Sequence, residues 1–172
     1  RYEVNELEYR EAMSRLDELA FDSQRKLMST VHIVDDNRVM LTKGAIDVLL
    51  DRSPWLITQE GVRPMSELDK EGILQANLTF SQNGLRVLAF AYRLMPGDQP
   101  VTLADEKDYI FIGLISMIDP PRQESAQAVA DARMAGIKPI MITGDHKITA
   151  AAIAKRIGIL QEGDLVCEGA DI

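Results

Sequence analysis

Four short stretches of this sequence carry residue types suited to chemistry, and in each case the chemistry is that of an anion or a flat base. Ile142-Thr143-Gly144-Asp145 closes an apolar run, turns at a glycine and opens a helical pattern. A helix start presents free N–H groups and a partial positive charge, which suits phosphate, and here the Thr143 hydroxyl lies beside them. Asp145 at that position serves equally as a helix cap. Phe21-Asp22-Ser23-Gln24-Arg25-Lys26-Leu27-Met28-Ser29 sets an aromatic before a cationic pair and then enters a strand pattern. Phe21 offers a stacking face, and Lys26 offers a charge for phosphate or for the wall of a base pocket. A core phenylalanine with a solvated charge pair has the same spacing. Lys43-Gly44-Ala45 falls where a strand meets a helix. Gly44 either admits a ligand close to the backbone, with Lys43 at the pocket mouth, or is a turn glycine beside an exposed lysine. In Gly84-Leu85-Arg86-Val87-Leu88-Ala89, Arg86 stands among apolar neighbours. Its guanidinium needs an anion, which is either a ligand or one of the many carboxylates.

The elements that must hold these residues follow from periodicity and punctuation. Asn5 to Leu19 reads as an amphipathic helix, with Tyr9, Ala12, Met13 and Leu16 at helical spacing and Asn5 with Glu8 as a capping box. Met28–Val34 and Arg38–Lys43, around Asp35-Asp36-Asn37, predict a β-hairpin. Gly44 to Arg52 predicts a short helix, and Ser53 to Pro64 a loop broken by Pro54, Gly61 and Pro64. Ser66 with Asp69 opens a helix to about Asn83, and Gly84 suits the position just past its end. Leu85–Met95 and Tyr109–Met117 read as strands, separated by an acidic loop from Pro96 to Asp108. After Asp119-Pro120-Pro121-Arg122, a rigid break, the pattern becomes helix (Glu124–Ala135), strand (Ile137–Thr143), helix (Lys147–Ile157). That succession is the vocabulary of a parallel α/β sheet. The predicted fold is therefore α+β, an antiparallel sheet with flanking helices over residues 1–118, followed by an α/β fragment over 119–172.

Composition narrows the function classes. The 172 residues carry a net charge of −8, which argues against a general nucleic-acid or anionic-membrane binder. Residues 23–93 nevertheless hold nine bases against eight acids, a local setting in which an anion is tolerated. The longest uncharged apolar run, Tyr109–Ile118, has ten residues, where a membrane-spanning helix needs about 20. The first residues lack the apolar stretch of a signal peptide. The single cysteine, Cys167, allows no internal disulfide and fits a reducing compartment. His32 and His146 lack companions at metal-ligand spacing, so no metal site is expected. Composition thus predicts a soluble, folded, cytosolic protein.

Taken in order, Phe21…Arg25-Lys26…Met28-Ser29, Lys43-Gly44-Ala45, Gly84 to Ala89, Asp119-Pro120-Pro121-Arg122 and Gly136-Ile137…Ile142-Thr143-Gly144-Asp145 resemble the cytoplasmic ATP-binding region of P-type cation-transporting ATPases, calcium pumps in particular. The resemblance runs from Leu19 to about Gly163. It implies an N-terminally truncated nucleotide-binding (N) domain over 1–118 and a partial phosphorylation (P) domain over 119–172. Phe21 would stack on adenine, Lys26, Lys43 and Gly44 would wall its pocket, and Arg86 would meet the phosphate chain. Thr143, Gly144 and Asp145 would form the second motif of the haloacid dehalogenase superfamily, which grips the transferred phosphate. Asp119 to Arg122 would be the return hinge between the domains.

The resemblance also implies ATP and Mg2+, with most magnesium ligands outside the chain. The implied partners are the rest of a pump, meaning the acceptor-aspartate segment, the actuator domain and the transmembrane helices. Nucleic acid is not expected, nor direct membrane contact by this piece, which would lie on the cytoplasmic side. The family's Asp-Lys-Thr-Gly-Thr, Gly-Asp-Gly-x-Asn-Asp and Gly-Asp-Pro-x-Glu motifs are absent, and Ser23 stands where some relatives carry a nucleotide-contacting arginine. The piece alone is therefore expected to bind nucleotide without turning it over. A non-catalytic adenine-nucleotide module, or the cap and core of a haloacid dehalogenase-type phosphatase, are the alternatives. The second of these lacks its Asp-x-Asp nucleophile.

Overall fold

The computed structural model of the protein describes residues 5–118 and 121–169. In chain order the helices are α1 (Glu6–Ala12), α2 (Ile46–Asp51), α3 (Glu67–Gln82), α4 (Gln123–Met134) and α5 (Lys147–Arg156). The strands are β1 (Arg15–Asp22), β2 (Leu27–Val34), β3 (Asn37–Gly44), β4 (Trp55–Thr58), β5 (Gly61–Pro64), β6 (Arg86–Leu94) and β7 (Ile110–Met117). They form one seven-stranded sheet in the order β1-β2-β3-β6-β7-β4-β5. The architecture is a mixed α/β one, a single sheet with helices. The chain divides into two compact units: one runs to Gly72 and resumes over Leu88–Ile115, and the other comprises Ile73–Val87 and the residues from Ser116 onward. Of the proline-rich hinge, Asp119 and Pro120 lie outside the described residues.

Local chemistry explains the elements that form as expected. Asp35 and Asp36 both take positive φ, at 48° and 62°, and join Val34 to Asn37 across a two-residue turn. Turns with two positive φ values match the twist of a hairpin, and aspartate tolerates that region. Ser66 and Asp69 form the reciprocal cap of α3. The Asp69 amide donates to Ser66 Oγ at 3.2 Å, and the Ser66 amide donates to the Asp69 carboxylate at 2.9 Å. Gly84 ends that helix at φ 74°, with Leu85 N–H bonded back to the Phe80 carbonyl.

Four expectations are corrected. The first helix stops at Ala12, and Arg15–Asp22 is an edge strand paired with β2. Its Leu, Glu and Ala residues are good helix formers, but propensity is worth only tenths of a kcal/mol per residue, roughly, and the backbone groups of β2 require a partner. Two register shifts in β1 accompany its edge position. Next, the expected loop 53–64 contains the β4–β5 hairpin, with Pro64 on the outer strand, where a missing N–H costs no ladder bond. The sheet is also not wholly antiparallel, because β4 runs parallel to β7 (Trp55 opposite Ile110). Finally, Ile137–Thr143 forms no strand. Among the described residues no other strand pairs with it, and Ile142 is 94% exposed.

In the first unit the alternation of β2 sends Leu27, Ser29 and Val31 to one face, where they are buried with Met40, Leu49, Ala89, Ala91, Tyr109 and Phe111. Three carboxylates fasten this unit's periphery. The Arg63 guanidinium, bidentate at 2.7 Å, and then Ser66 hold the Asp69 carboxyl far below the usual carboxylate range. The Val101 and Glu18 amides lower Asp17, and the Thr102 amide and hydroxyl lower Asp105. Each binds a proton less readily folded than unfolded. Their contribution is therefore present above the unfolded value of about 4 and lost as the pH falls through the lower folded values. Melting followed by circular dichroism is expected to be level from about pH 7 to 5 and to drop below about pH 4. In Asp69→Asn the drop should be shallower, and a drop as steep as the parent's would refute the assignment.

Candidate functional site

The turn from β1 to β2 is built by Asp22, whose carboxylate accepts from the Gln24 amide at 3.1 Å and the Arg25 amide at 2.8 Å. This turn separates the cationic pair that the sequence places side by side. Arg25 folds inward: it donates to the carbonyls of Ala20 (2.6 Å) and Leu27 (3.0 Å), and its Nε lies 3.2 Å from Glu106 Oε2. Lys26 turns outward, at φ 57°, with its ammonium 3.5 Å from Asp47. A lysine in the left-handed region is uncommon and costs backbone strain.

Gly44 closes the same end of the ladder. It pairs with Leu27, while the Ala45 amide donates to the Lys26 carbonyl at 3.1 Å. A Cβ on Gly44 would stand 2.2 Å from that carbonyl oxygen and 2.6 Å from Leu27 Cδ2. The glycine is therefore required by close packing of two backbones, a reason that spacing alone does not reveal. Lys43, one residue earlier, is exposed and pairs with Met28 on one side and Phe90 on the other. The three side chains stand in a row across the sheet face away from the core. Among the described residues Lys43 has no ion-pair partner. Phe21 is not a core residue. It is 64% exposed, at the end of β1 next to Asp22, which pairs with Leu27. Register thus brings Phe21, Lys26, Lys43 and Gly44 to one end of the β1-β2-β3 ladder.

The remaining candidates meet in the second unit. Arg86 Nη2 contacts Asp145 Oδ1 at 2.6 Å. The other carboxylate oxygen accepts from the Thr143 hydroxyl at 3.0 Å, which in turn accepts from the Asp145 amide at 3.1 Å. Asp145 is therefore not the cap of α5. That position falls to His146, whose Nδ1 accepts from the Ile148 amide at 3.5 Å. The Arg86 side chain has found a carboxylate, the partner its apolar neighbours demanded. Gly144 has open space where a side chain would stand, with no atom within 4 Å. It borders an open cavity of about 950 Å³, whose lining includes Thr143, Asp145, Lys138 and Lys147. The Thr143 hydroxyl and the Gly144 turn line this cavity and can receive phosphate oxygens, and Arg86, which does not line it, is tied to it through Asp145.

The sequence reading missed two groups. One is Asp47, the partner of Lys26. The other is Glu106, 2% exposed and the hub of a buried polar network. Its Oε1 accepts from Ser29 Oγ at 2.7 Å, and Arg25 and Arg52 flank the carboxylate at 3.2 and 3.7 Å. Ser29 and Thr42 hydroxyls lie 2.8 Å apart, and Thr42 reaches the Tyr109 hydroxyl at 2.9 Å. Burial pushes the Tyr109 phenol up, against the pull of its Thr42 hydrogen bond. One signal was available: Ser29 interrupts the buried alternation of Leu27 and Val31, and a polar residue there needs a partner.

Comparison with known proteins identifies the family of the chain. The family model described as "P-type ATPase, cytoplasmic domain N" matches residues 2–124, and that of a haloacid dehalogenase-like hydrolase matches residues 96–171. A calcium-transporting ATPase of Lactococcus lactis is 46% identical over 164 residues, covering 95% of this chain and 19% of the relative. One from Listeria monocytogenes is 42% identical over 166 residues, covering 96% and 19%. The human sodium/potassium-transporting ATPase subunit alpha-3 is 40% identical over 172 residues, covering 92% and 17%. The chain thus spans less than a fifth of the length of these relatives.

Proposed function

This chain belongs to the P-type ATPase family, and from that premise we propose that it is the ATP-binding cytoplasmic part of a cation pump, with calcium as the cargo. Residues 1–118 are then the nucleotide-binding domain and 119–172 a part of the phosphorylation domain, on the cytoplasmic side of a membrane. No helix among the described residues is long and apolar enough to cross one. Calcium is preferred because the calcium-transporting relatives match at 46% and 42% identity, against 40% for the sodium/potassium subunit. Calcium uptake by vesicles carrying the full-length parent tests this cargo, and sodium-dependent turnover instead would refute it.

The observation that carries the nucleotide reading is the exposed Phe21 at the ladder end that also holds Lys26, Lys43 and Gly44. Phe21 gives adenine a face to stack on, at a gain of roughly 1–3 kcal/mol by analogy with other base–aromatic stacks. The row Met28-Lys43-Phe90 supplies an apolar wall with an ammonium in it. Arg86 and the Thr143-Gly144 turn supply donors for phosphate oxygens, and in transfer to an acceptor carboxylate they would hold and neutralise the moving phosphoryl group. Magnesium would add positive charge to that chain of phosphates. Most of its ligands are proposed to lie outside this chain, in the family motifs that the sequence lacks. Without an acceptor aspartate of the family motif, the piece binds and orients but does not turn over.

Titration with ATP while recording amide shifts is expected to perturb residues around Phe21, Lys26 and Lys43. Lys43→Ala should weaken the interaction about tenfold, the worth of one charge-assisted contact of roughly 1.5 kcal/mol. No perturbation at these residues at several millimolar ATP would sink the reading.

A further inference from the structure

We propose that Asp47 is a resident anion that holds Lys26 while the pocket is empty and yields it to the phosphate chain of the ligand. The inference rests on the nucleotide reading above and concerns regulation of affinity at that same ladder end. Three observations converge on it. Lys26 is kept at φ 57°, a conformation a lysine adopts at a cost, by the Ala45 amide on its carbonyl and the absence of a Cβ on Gly44. That strain fixes where the side chain leaves the turn, facing outward while Arg25 folds inward. The ammonium then rests 3.5 Å from the Asp47 carboxylate, with both side chains more than half exposed. The long distance and the exposure describe a pair that opens cheaply, in contrast to the buried Arg25–Glu106 contact in the same unit.

The chemistry selects the ligand class. An ammonium whose resting partner is a carboxylate is matched to an anion and not to a neutral purine. A phosphate chain offers more charge and more acceptor oxygens than Asp47, so exchange is favourable. Until exchange occurs, Asp47 lowers the free concentration of a competent Lys26 and repels the incoming anion. Both effects subtract from affinity, and both fall as salt rises.

The test is an ATP titration of the whole chain in four forms: parent, Asp47→Asn, Lys26→Ala and the double variant. At low salt Asp47→Asn is expected to bind ATP about two- to fivefold more tightly, the worth of one exposed ion pair. The gain should shrink with added salt, be absent for adenosine, and vanish in the Lys26→Ala background. Asp47→Glu, which keeps the charge, should bind as the parent does, with melting curves confirming that each variant is folded. Unchanged or weaker ATP binding by folded Asp47→Asn overturns the proposal. A gain that persists without Lys26 also overturns it, since general repulsion would then suffice. If the parent itself binds no nucleotide, the reading of the site fails, and that outcome is distinct from either of these.

Discussion

Replacing Glu106 by alanine is expected to cost about 3–5 kcal/mol of unfolding free energy, the range seen when one partner of a buried pair is removed. Glu106 is 2% exposed, and its removal strands three groups at once. Arg25, with a side chain 13% exposed, loses its carboxylate, Arg52 loses its second contact, and Ser29 loses an acceptor. The loss exceeds the value of any single contact because the stranded guanidinium stays desolvated. Glu106 Oε2 itself has no aligned hydrogen-bond donor, so it is held by charge alone. Glu106→Gln keeps an acceptor for Ser29 and should cost less, about 2 kcal/mol. Urea unfolding followed by circular dichroism measures both losses. Making the pair apolar, with Arg25→Met and Glu106→Leu together, should recover part of the alanine loss. A loss below about 1 kcal/mol for Glu106→Ala would mean the network does not hold the first unit together.

Gly44→Ala is expected to cost about 2–4 kcal/mol, combining overpacking with a weakened backbone hydrogen bond. The added Cβ would lie 2.2 Å from the Lys26 carbonyl oxygen, and this neighbour is backbone, so no flexible side-chain end can swing away. The β1–β2 turn must retreat, which stretches the Ala45-to-Lys26 bond and disturbs the Leu27–Gly44 pairing. Because that turn carries Lys26, the variant should also lose most of its ATP response under conditions where it remains folded. Stability within about 0.5 kcal/mol of the parent, with unshifted Lys26 and Leu27 amides, would contradict the packing argument.

Which parts of this molecule are legible in its sequence follows the range of the interactions involved. The Asp35-Asp36 turn, the Ser66–Asp69 cap, the Gly84 stop and the helix at Lys147 each depend on residues within a few positions. The candidate residues could be named for the same reason, since an aromatic, a lysine and a glycine turn declare their chemistry by type. The part of the expected helix from Arg15 to Leu19 is strand instead, because its own propensity leans to helix while its conformation is set by the free edge of β2. Ile137–Thr143 failed in the opposite sense, because a strand pattern without a neighbouring strand among the described residues forms no ladder.

Short-range residue patterns set the local turns and caps, the alternation of β2, and the inventory of cations and hydroxyls offered to an anion. Long-range packing assigns those groups their partners. It sent Arg25 inward to a carboxylate 81 residues away and left Lys26 outside with Asp47. It joined Thr42 to Tyr109 across 67 residues, and it gave Asp145 to Arg86 instead of to the start of α5. For the desolvated groups, Arg25 with Glu106 and Thr42 with Tyr109, the physical reason is that a polar side chain removed from water must keep a partner, and that partner is whichever group the folded backbone carries to the place, however far away it stands in the chain. At the more exposed Lys26 and Arg86 the fold only brings a carboxylate within reach, and water remains an alternative partner.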